Sequence, residues 1–187
     1  RWKTDWVPVY QQDFTQSGAT LAGLSFMDPT LSKESAPWKL TPEGLEVAKG
    51  DWLWLDSKVY GNVKVVLTVS HPSMMDALEI TVNGRPTPFK EWWQVPPGYT
   101  FLVAGFGGTK DAIVKVNDLP LPEYISSGET KLAADGDVTI TVSRKDDQLS
   151  MKIDGTYSVS SHDYFPPTGA GLCRIGIRAF ATNMKIR

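Results

Sequence analysis

The chain has 187 residues, 41% hydrophobic and 21% charged, with a formal net charge of −2. This is the composition of a folded globular domain and excludes disordered and collagen-like chains. The near-neutral balance gives no basic footprint for nucleic acid, and no apolar run approaches the ~20 residues of a membrane helix, so neither nucleic-acid binding nor membrane insertion is expected of this segment.

In chain order, Trp6–Phe14 (WVPVYQQDF) reads as an edge strand, since Pro8 cannot donate to a central ladder. Residues 15–37 are polar, with Gly, Ser and Pro scattered through, and read as a loop. Trp38–Leu40 and Leu45–Val47 form short strands around the turn Pro42-Glu43-Gly44. Asp51–Leu55 alternates indole and leucine, so both faces of that strand are expected to be covered. Tyr60–Ser70 is the clearest central strand of the first half, followed by Leu78–Val82 and a turn at Asn83-Gly84. Residues 84–98 hold four prolines and two adjacent tryptophans and read as a large loop. Tyr99–Ala104 and Ala112–Val116 are strands joined by a hairpin through GFGGTKD, and residues 117–136 read as another loop.

From Gly136 onward the period of two is unbroken. Val138, Ile140 and Val142 alternate with Thr139, Thr141 and Ser143, and Leu149, Met151 and Ile153 alternate with polar residues. Asp154-Gly155 supplies the positive-φ pair of a tight hairpin. Leu172–Phe180 and Met184–Ile186 add two more strands. A period of two held this long specifies antiparallel sheet, and no helix of ten residues, repeat or linker interrupts it. The prediction is one all-β domain over 1–187: a two-sheet antiparallel β-sandwich with jelly-roll wiring. Val63, Val65, Leu67, Val69, Leu78, Ile80, Val82, Val138, Ile140 and Val142 are its expected buried face. With strands expected at both ends and Arg1 in place of a methionine, the chain reads as a module of a larger protein. The single cysteine, Cys173, permits no internal disulfide and is read as a structural residue.

The ordered segments WVPVYQQDF, WKLTPEGLEV, YGNVKVVLTV, DALEITVNG, TITVSRKDDQLSMKIDG and GLCRIGIRAFATNMKIR resemble the concanavalin A-like lectin/glucanase superfamily. Within it they are most similar to laminin-G-like and bacterial 3-keto-disaccharide hydrolase-like domains. The resemblance implies a sandwich that binds or processes carbohydrate outside the cytoplasm, in the periplasm, at the cell surface or secreted. The retaining-glucanase pattern Glu-x-Asp-x-x-Glu is absent from this sequence, as is the Glu-x-Gln strand of the hydrolase-like domains.

Side-chain chemistry favours binding over catalysis. Glycoside cleavage needs two carboxylates at a fixed separation. Asp76 and Glu79, three apart on a strand, point to opposite faces, and no catalytic residue is assigned. His71 and His162 lack any metal spacing, and the run Ser161-His162-Asp163 is not a triad, because chain neighbours do not face one another. Asn117-Asp118 and Asp135-Gly136-Asp137 are the places where a calcium ion could bind, although turn chemistry explains them equally; no other cofactor is expected. The aromatics carry the functional hint. Sugars present a C–H face to an aromatic ring and a rim of hydroxyls to polar groups, and Trp92-Trp93 sits in the proline-rich loop, either as an exposed platform or as a satellite core. Glu79, Thr81 and Asn83 share one face of a strand, as do Lys115 and Asn117, and Arg174 and Arg178. The expected site is a solvated floor of Glu79, Asn83, Arg85, Lys115, Arg174 and Arg178 beneath Trp92 and Trp93. The expected function is a non-catalytic glycan-binding module, the alternatives being a glycosidase-type or keto-disaccharide hydrolase and a protein-interaction or spacer domain.

Overall fold

The computed structural model describes residues 6–27, 38–47, 50, 52–71, 77–88, 94–117, 122–130, 132, 136–179 and 184–187. Among these residues fourteen strands form: β1 (Leu24–Met27), β2 (Lys39–Thr41), β3 (Gly44–Val47), β4 (Trp52–Leu55), β5 (Val63–His71), β6 (Leu78–Gly84), β7 (Gly98–Ala104), β8 (Lys110–Val116), β9 (Glu123–Glu129), β10 (Gly136–Lys145), β11 (Gln148–Ile153), β12 (Thr156–His162), β13 (Arg174–Ala179) and β14 (Met184–Ile186). They form two seven-stranded sheets, in the order β1-β4-β13-β6-β7-β8-β9 and β12-β11-β10-β5-β14-β3-β2, with every pairing antiparallel. The chain is a two-sheet β-sandwich, as the alternation predicts.

Cross-strand register lines up the apolar parity of each strand into rows. In the first sheet Phe26, Leu53, Ile177, Ile80, Phe101 and Ile113 follow one another through successive pairings. In the second, Leu45, Ile186, Val69 and Val138 do the same. These rows face each other and belong to one core. Burying each such side chain contributes about 1.5–3 kcal/mol. Leu78, Ile80, Val82, Val138, Ile140 and Val142 are all buried, as are Val63 and Val69. Val65 and Leu67 point the same way but are half-buried, because they line a cavity between the sheets.

The turn chemistry follows the sequence. Asp154 (φ 48°) and Gly155 (φ 79°) make the tight hairpin between β11 and β12, and the β7–β8 connection places Ala104, Phe106, Gly107 and Gly108 at positive φ. Three expectations fail. Trp6–Phe14 makes no strand: its described backbone is irregular, with Pro8 interrupting it. Leu24–Met27, inside the expected first loop, pairs with β4 because the LSFM segment fits beside that strand's covered faces. Glu123–Glu129, inside the expected 117–136 loop, pairs with β8 through a bulge despite its polar sequence. It is an edge strand, and an edge strand with one wet side does not need an apolar pattern.

Candidate functional site

The face of the first sheet turned away from the core was expected to be the solvated floor. It is buried. Register stacks two rows across it: Trp52, Arg178, Glu79 and Leu102, then Trp54, Gly176, Thr81 and Thr100. Alternation in WLWL puts both indoles on this face, where the rings stack with centroids 5.3 Å apart. Trp54 lies flat on β13, and a Cβ on Gly176 would come within 2.7 Å of its ring. Arg178 lies 4.8 Å from the centre of the Trp52 ring and forks onto Glu79, with Nε and Nη2 at 2.6 and 2.5 Å from Oε2. Burial pushes the Glu79 carboxyl upward, and Arg178 pulls against it. Thr81 and Thr100 share a hydrogen bond of 2.7 Å.

Gln94 and Val95, at the described end of the proline-rich segment, cover part of this face. Val95 packs on Leu102, Ala112, Val114 and Val116, and the carbonyl of Gln94 accepts from Arg178 Nη2 at 3.2 Å. An antiparallel sheet has a wet face only if no second layer is laid on it. Both indole Nε1 atoms are buried here without a hydrogen-bond partner.

The remaining predicted site residues do not converge on that face. Lys115 pairs with Tyr99, so it points toward the space between the sheets, opposite to Glu79. Asn83 is buried and joins strands: its Nδ2 donates to the Gly61 carbonyl at 3.2 Å and its Oδ1 accepts from Arg144 at 3.1 Å. Arg85 donates to the Ala170 carbonyl at 3.1 Å. Arg174 donates to the Leu55 carbonyl at 2.6 Å and to Asp56 at 3.2 Å. Trp92, Trp93, Asp76, Asp118 and Asp135 lie outside the described residues, as does the side chain of His71. Asp137 pairs with Arg187 at 3.3 Å, and among the described residues no three His, Cys, Asp or Glu side chains form a metal-binding group. Cys173 is buried just ahead of β13, with Sγ 3.6 Å from the Gly171 carbonyl.

An open site lies instead at the end of β12, in Ser161-His162-Asp163-Tyr164-Phe165-Pro166-Pro167. Asp163 is buried and anchors the turn. It accepts from Tyr99 Oη at 2.9 Å, from Lys115 Nζ at 3.0 and 3.2 Å, and from the Phe165 amide at 3.0 Å. Lys115 also donates to the Phe165 carbonyl at 3.1 Å and meets Glu123 at 3.3 Å. Burial works to raise the Asp163 carboxyl, but the bonds from Lys115, Phe165 and Tyr99 outweigh it and hold the group below its usual value. Burial opposes the charge on Lys115, yet Asp163 and Glu123 hold its ammonium above its usual range, and burial together with Asp163 pushes the Tyr99 phenol upward.

This network fixes a turn whose aromatics face water: Tyr164 is 71% and Phe165 82% exposed. The Tyr164 ring stacks on His162 at 6.1 Å, and His162 Nδ1 lies 3.1 Å from Asp147. Two exposed aromatic rings on an anchored backbone, beside His162 and Asp147, have the chemistry to hold a polyol. Sequence reasoning weighed this run only as a triad or zinc site and missed the platform. The available signal was two consecutive aromatics ahead of Pro-Pro, outside any alternating strand.

No protein-family model matches the sequence, and no curated protein sequence matches it significantly. Solved structures do match in fold. The carbohydrate-binding module CBM66 from Bacillus subtilis superposes with a TM-score of 0.62 at 12% identity, covering 88% of this chain and 92% of that one. The Emp46p carbohydrate recognition domain, in its potassium-bound form, gives 0.64 at 13% identity over 94% and 95%. The Bacillus licheniformis β-glucanase gives 0.57 at 11% identity over 90% and 82%. The chain therefore shares the two-sheet β-sandwich fold of these proteins. Among the described residues no helix is long and apolar enough to cross a membrane.

Proposed function

We propose that this chain is a non-catalytic glycan-binding module of a larger bacterial envelope or secreted protein, and that the glycan lies on the Tyr164–Phe165 turn. The observation that carries this is the exposed aromatic pair held by a buried Asp163–Lys115–Tyr99 network. Rigid aromatic groups beside a few polar side chains give stacking area at little entropic cost. The names of two fold neighbours, a carbohydrate-binding module and a carbohydrate recognition domain, support the same ligand class. A glucanase shares the fold, but among the described residues the buried carboxylates are committed to structure: Glu79 to Arg178, Asp163 to Lys115, and Asp111 to the Ala104 amide at 2.8 Å and to Ser158. Laminin-G-like kinship and an extracytoplasmic location belong to the same proposal.

The test is a glycan array with the wild type, followed by titration of the best glycan into Tyr164→Ala and Phe165→Ala. Binding should be lost or much weakened while stability stays within about 0.5 kcal/mol, as for exposed positions generally. Retention of no glycan by the wild type overturns the reading. Binding is proposed to need no cofactor, so EDTA should leave it unchanged; a loss that calcium restores would point to the loops at Asn117 and Asp137.

A further inference from the structure

The second sheet also turns one face away from the core. Val138, Ile140 and Val142 of β10 and Leu149, Met151 and Ile153 of β11 point inward, so the residues between them point out. Register orders this outward parity into rows. One row holds Lys64, Ser143, Ser150 and Ser160, and the next holds Val66, Thr141, Lys152 and Tyr157. On the other side of the first lies a row of Lys145, Gln148 and His162. None of these residues is buried, in contrast to the outer face of the first sheet.

The charge of this face is one-sided. Lys64 lies opposite Ser143 on the neighbouring strand, Lys145 is two residues along from Ser143, and Lys152 is diagonal to it. Paired strands lie ~4.8 Å apart and diagonal neighbours ~7–8 Å, so three lysine stems rise from one small area. None of the three has an ion-pair partner among the described residues. Lys152 Nζ lies 4.2 Å from the centre of the Tyr157 ring, a contact that leaves its charge uncompensated. The carboxylates flanking these strands stand at the hairpin turns and strand ends, each with another partner: Asp147 with His162, Asp146 with Asn62, Asp154 with the Thr139 amide, and Asp137 with Arg187. Like charges on adjacent strands repel, so the fold gains nothing from the cluster. Between the lysines are hydroxyls, with Ser143 Oγ and Ser150 Oγ 2.9 Å apart and Thr141 and Ser160 beside them.

Cations set among hydroxyls on an open sheet face are complementary to a hydroxyl-rich polyanion. The face is continuous with the aromatic turn, because His162 belongs to one of its rows and the Tyr164 ring stacks on His162. We infer that the ligand is an acidic polysaccharide, a sugar chain bearing carboxylate or sulfate groups. It lies across β12, β11 and β10 beside the Tyr164 ring, with its anions on Lys64, Lys145 and Lys152. This inference rests on the glycan reading of the Tyr164–Phe165 turn and adds the charge class and path of the ligand.

The experiment measures calorimetric binding to two matched pairs of polymers, polygalacturonate with its methyl ester and dextran sulfate with dextran. Each pair varies charge on one backbone, and the two pairs separate carboxylate from sulfate. The proteins are the wild type, Lys64→Gln/Lys145→Gln/Lys152→Gln, the charge-conserving Lys64→Arg/Lys145→Arg/Lys152→Arg, and Tyr164→Ala. The wild type should bind at least one charged polymer roughly tenfold more tightly than its neutral partner, and the Gln variant should lose about that factor. Affinity should fall as NaCl is raised. The Arg variant should bind like the wild type, which separates loss of charge from loss of fold. Lysine dependence with no effect of Tyr164→Ala would support the acidic ligand and overturn the aromatic platform. Equal affinity for charged and neutral partners would overturn this inference, and a loss on Tyr164→Ala would then leave the platform standing. Binding undiminished in the Gln variant, no binding of either charged polymer, or equally tight binding of oligothymidylate, the mark of a general anion surface, would each overturn it as well.

Discussion

Replacing Asp163 by Asn removes one charge and almost no volume, and it tests the network on which the aromatic turn rests. The carboxylate faces Lys115 Nζ at 3.0 Å, with both side chains 7% exposed. In the variant the ammonium keeps the Phe165 carbonyl and the solvent-facing Glu123, while in either orientation an amide NH₂ is forced toward Lys115 and toward either the Phe165 amide or the Tyr99 hydroxyl. Breaking a buried pair by removing one partner costs ~3–5 kcal/mol, and the remaining Glu123 contact places this case near the lower end, at about 3 kcal/mol. For a chain of this length each kcal/mol moves Tm by ~2–4 °C, so a fall of roughly 6–12 °C is expected. Urea unfolding followed by tryptophan fluorescence measures the free energy, and the cycle with Lys115→Met isolates the pair: the double variant should be more stable than the sum of the two single losses predicts. A loss under about 0.5 kcal/mol in Asp163→Asn would refute a folded-state ion pair at this position.

The same groups set a pH window. Asp163 is depressed on folding, so its contribution is complete above the unfolded carboxylate value of ~3.9 and is lost as pH falls through its lower folded value; acid titration of stability should be shallower in Asp163→Asn. Lys115 and Tyr99 are raised on folding, so their contribution is complete below pH ~10 and is lost as pH rises through their folded values, which alkaline melts of Lys115→Met should show by a weaker decline. Gly176→Ala drives a methyl into the Trp54 ring and should cost about 1–3 kcal/mol in a denaturant melt, with a changed near-UV signal from the indole stack. Ile140→Ala, at a fully buried position of the core, should cost about 2–5 kcal/mol.

Alternation of apolar and polar residues sufficed to specify β10, β11 and their hairpin from sequence, because strand periodicity and a positive-φ turn are local properties. The same holds for the apolar parity of β6, and for the covered faces of the WLWL strand. What alternation cannot encode is whether a second layer lies on the polar parity. Glu79, Thr81 and Arg178 look the same in sequence whether they meet water or, as here, Trp52, Thr100 and the Gln94 carbonyl. The polar edge strand Glu123–Glu129 was invisible for the related reason that its pairing with β8 is set by backbone geometry and proximity rather than by its own pattern. Lys115 and Asp163 are 48 positions apart, and only the closing of one sheet over the other brings them together. Their meeting turns an unremarkable Asp-Tyr-Phe run into a fixed aromatic surface, since the energy that orders a loop comes from partners distant in the chain.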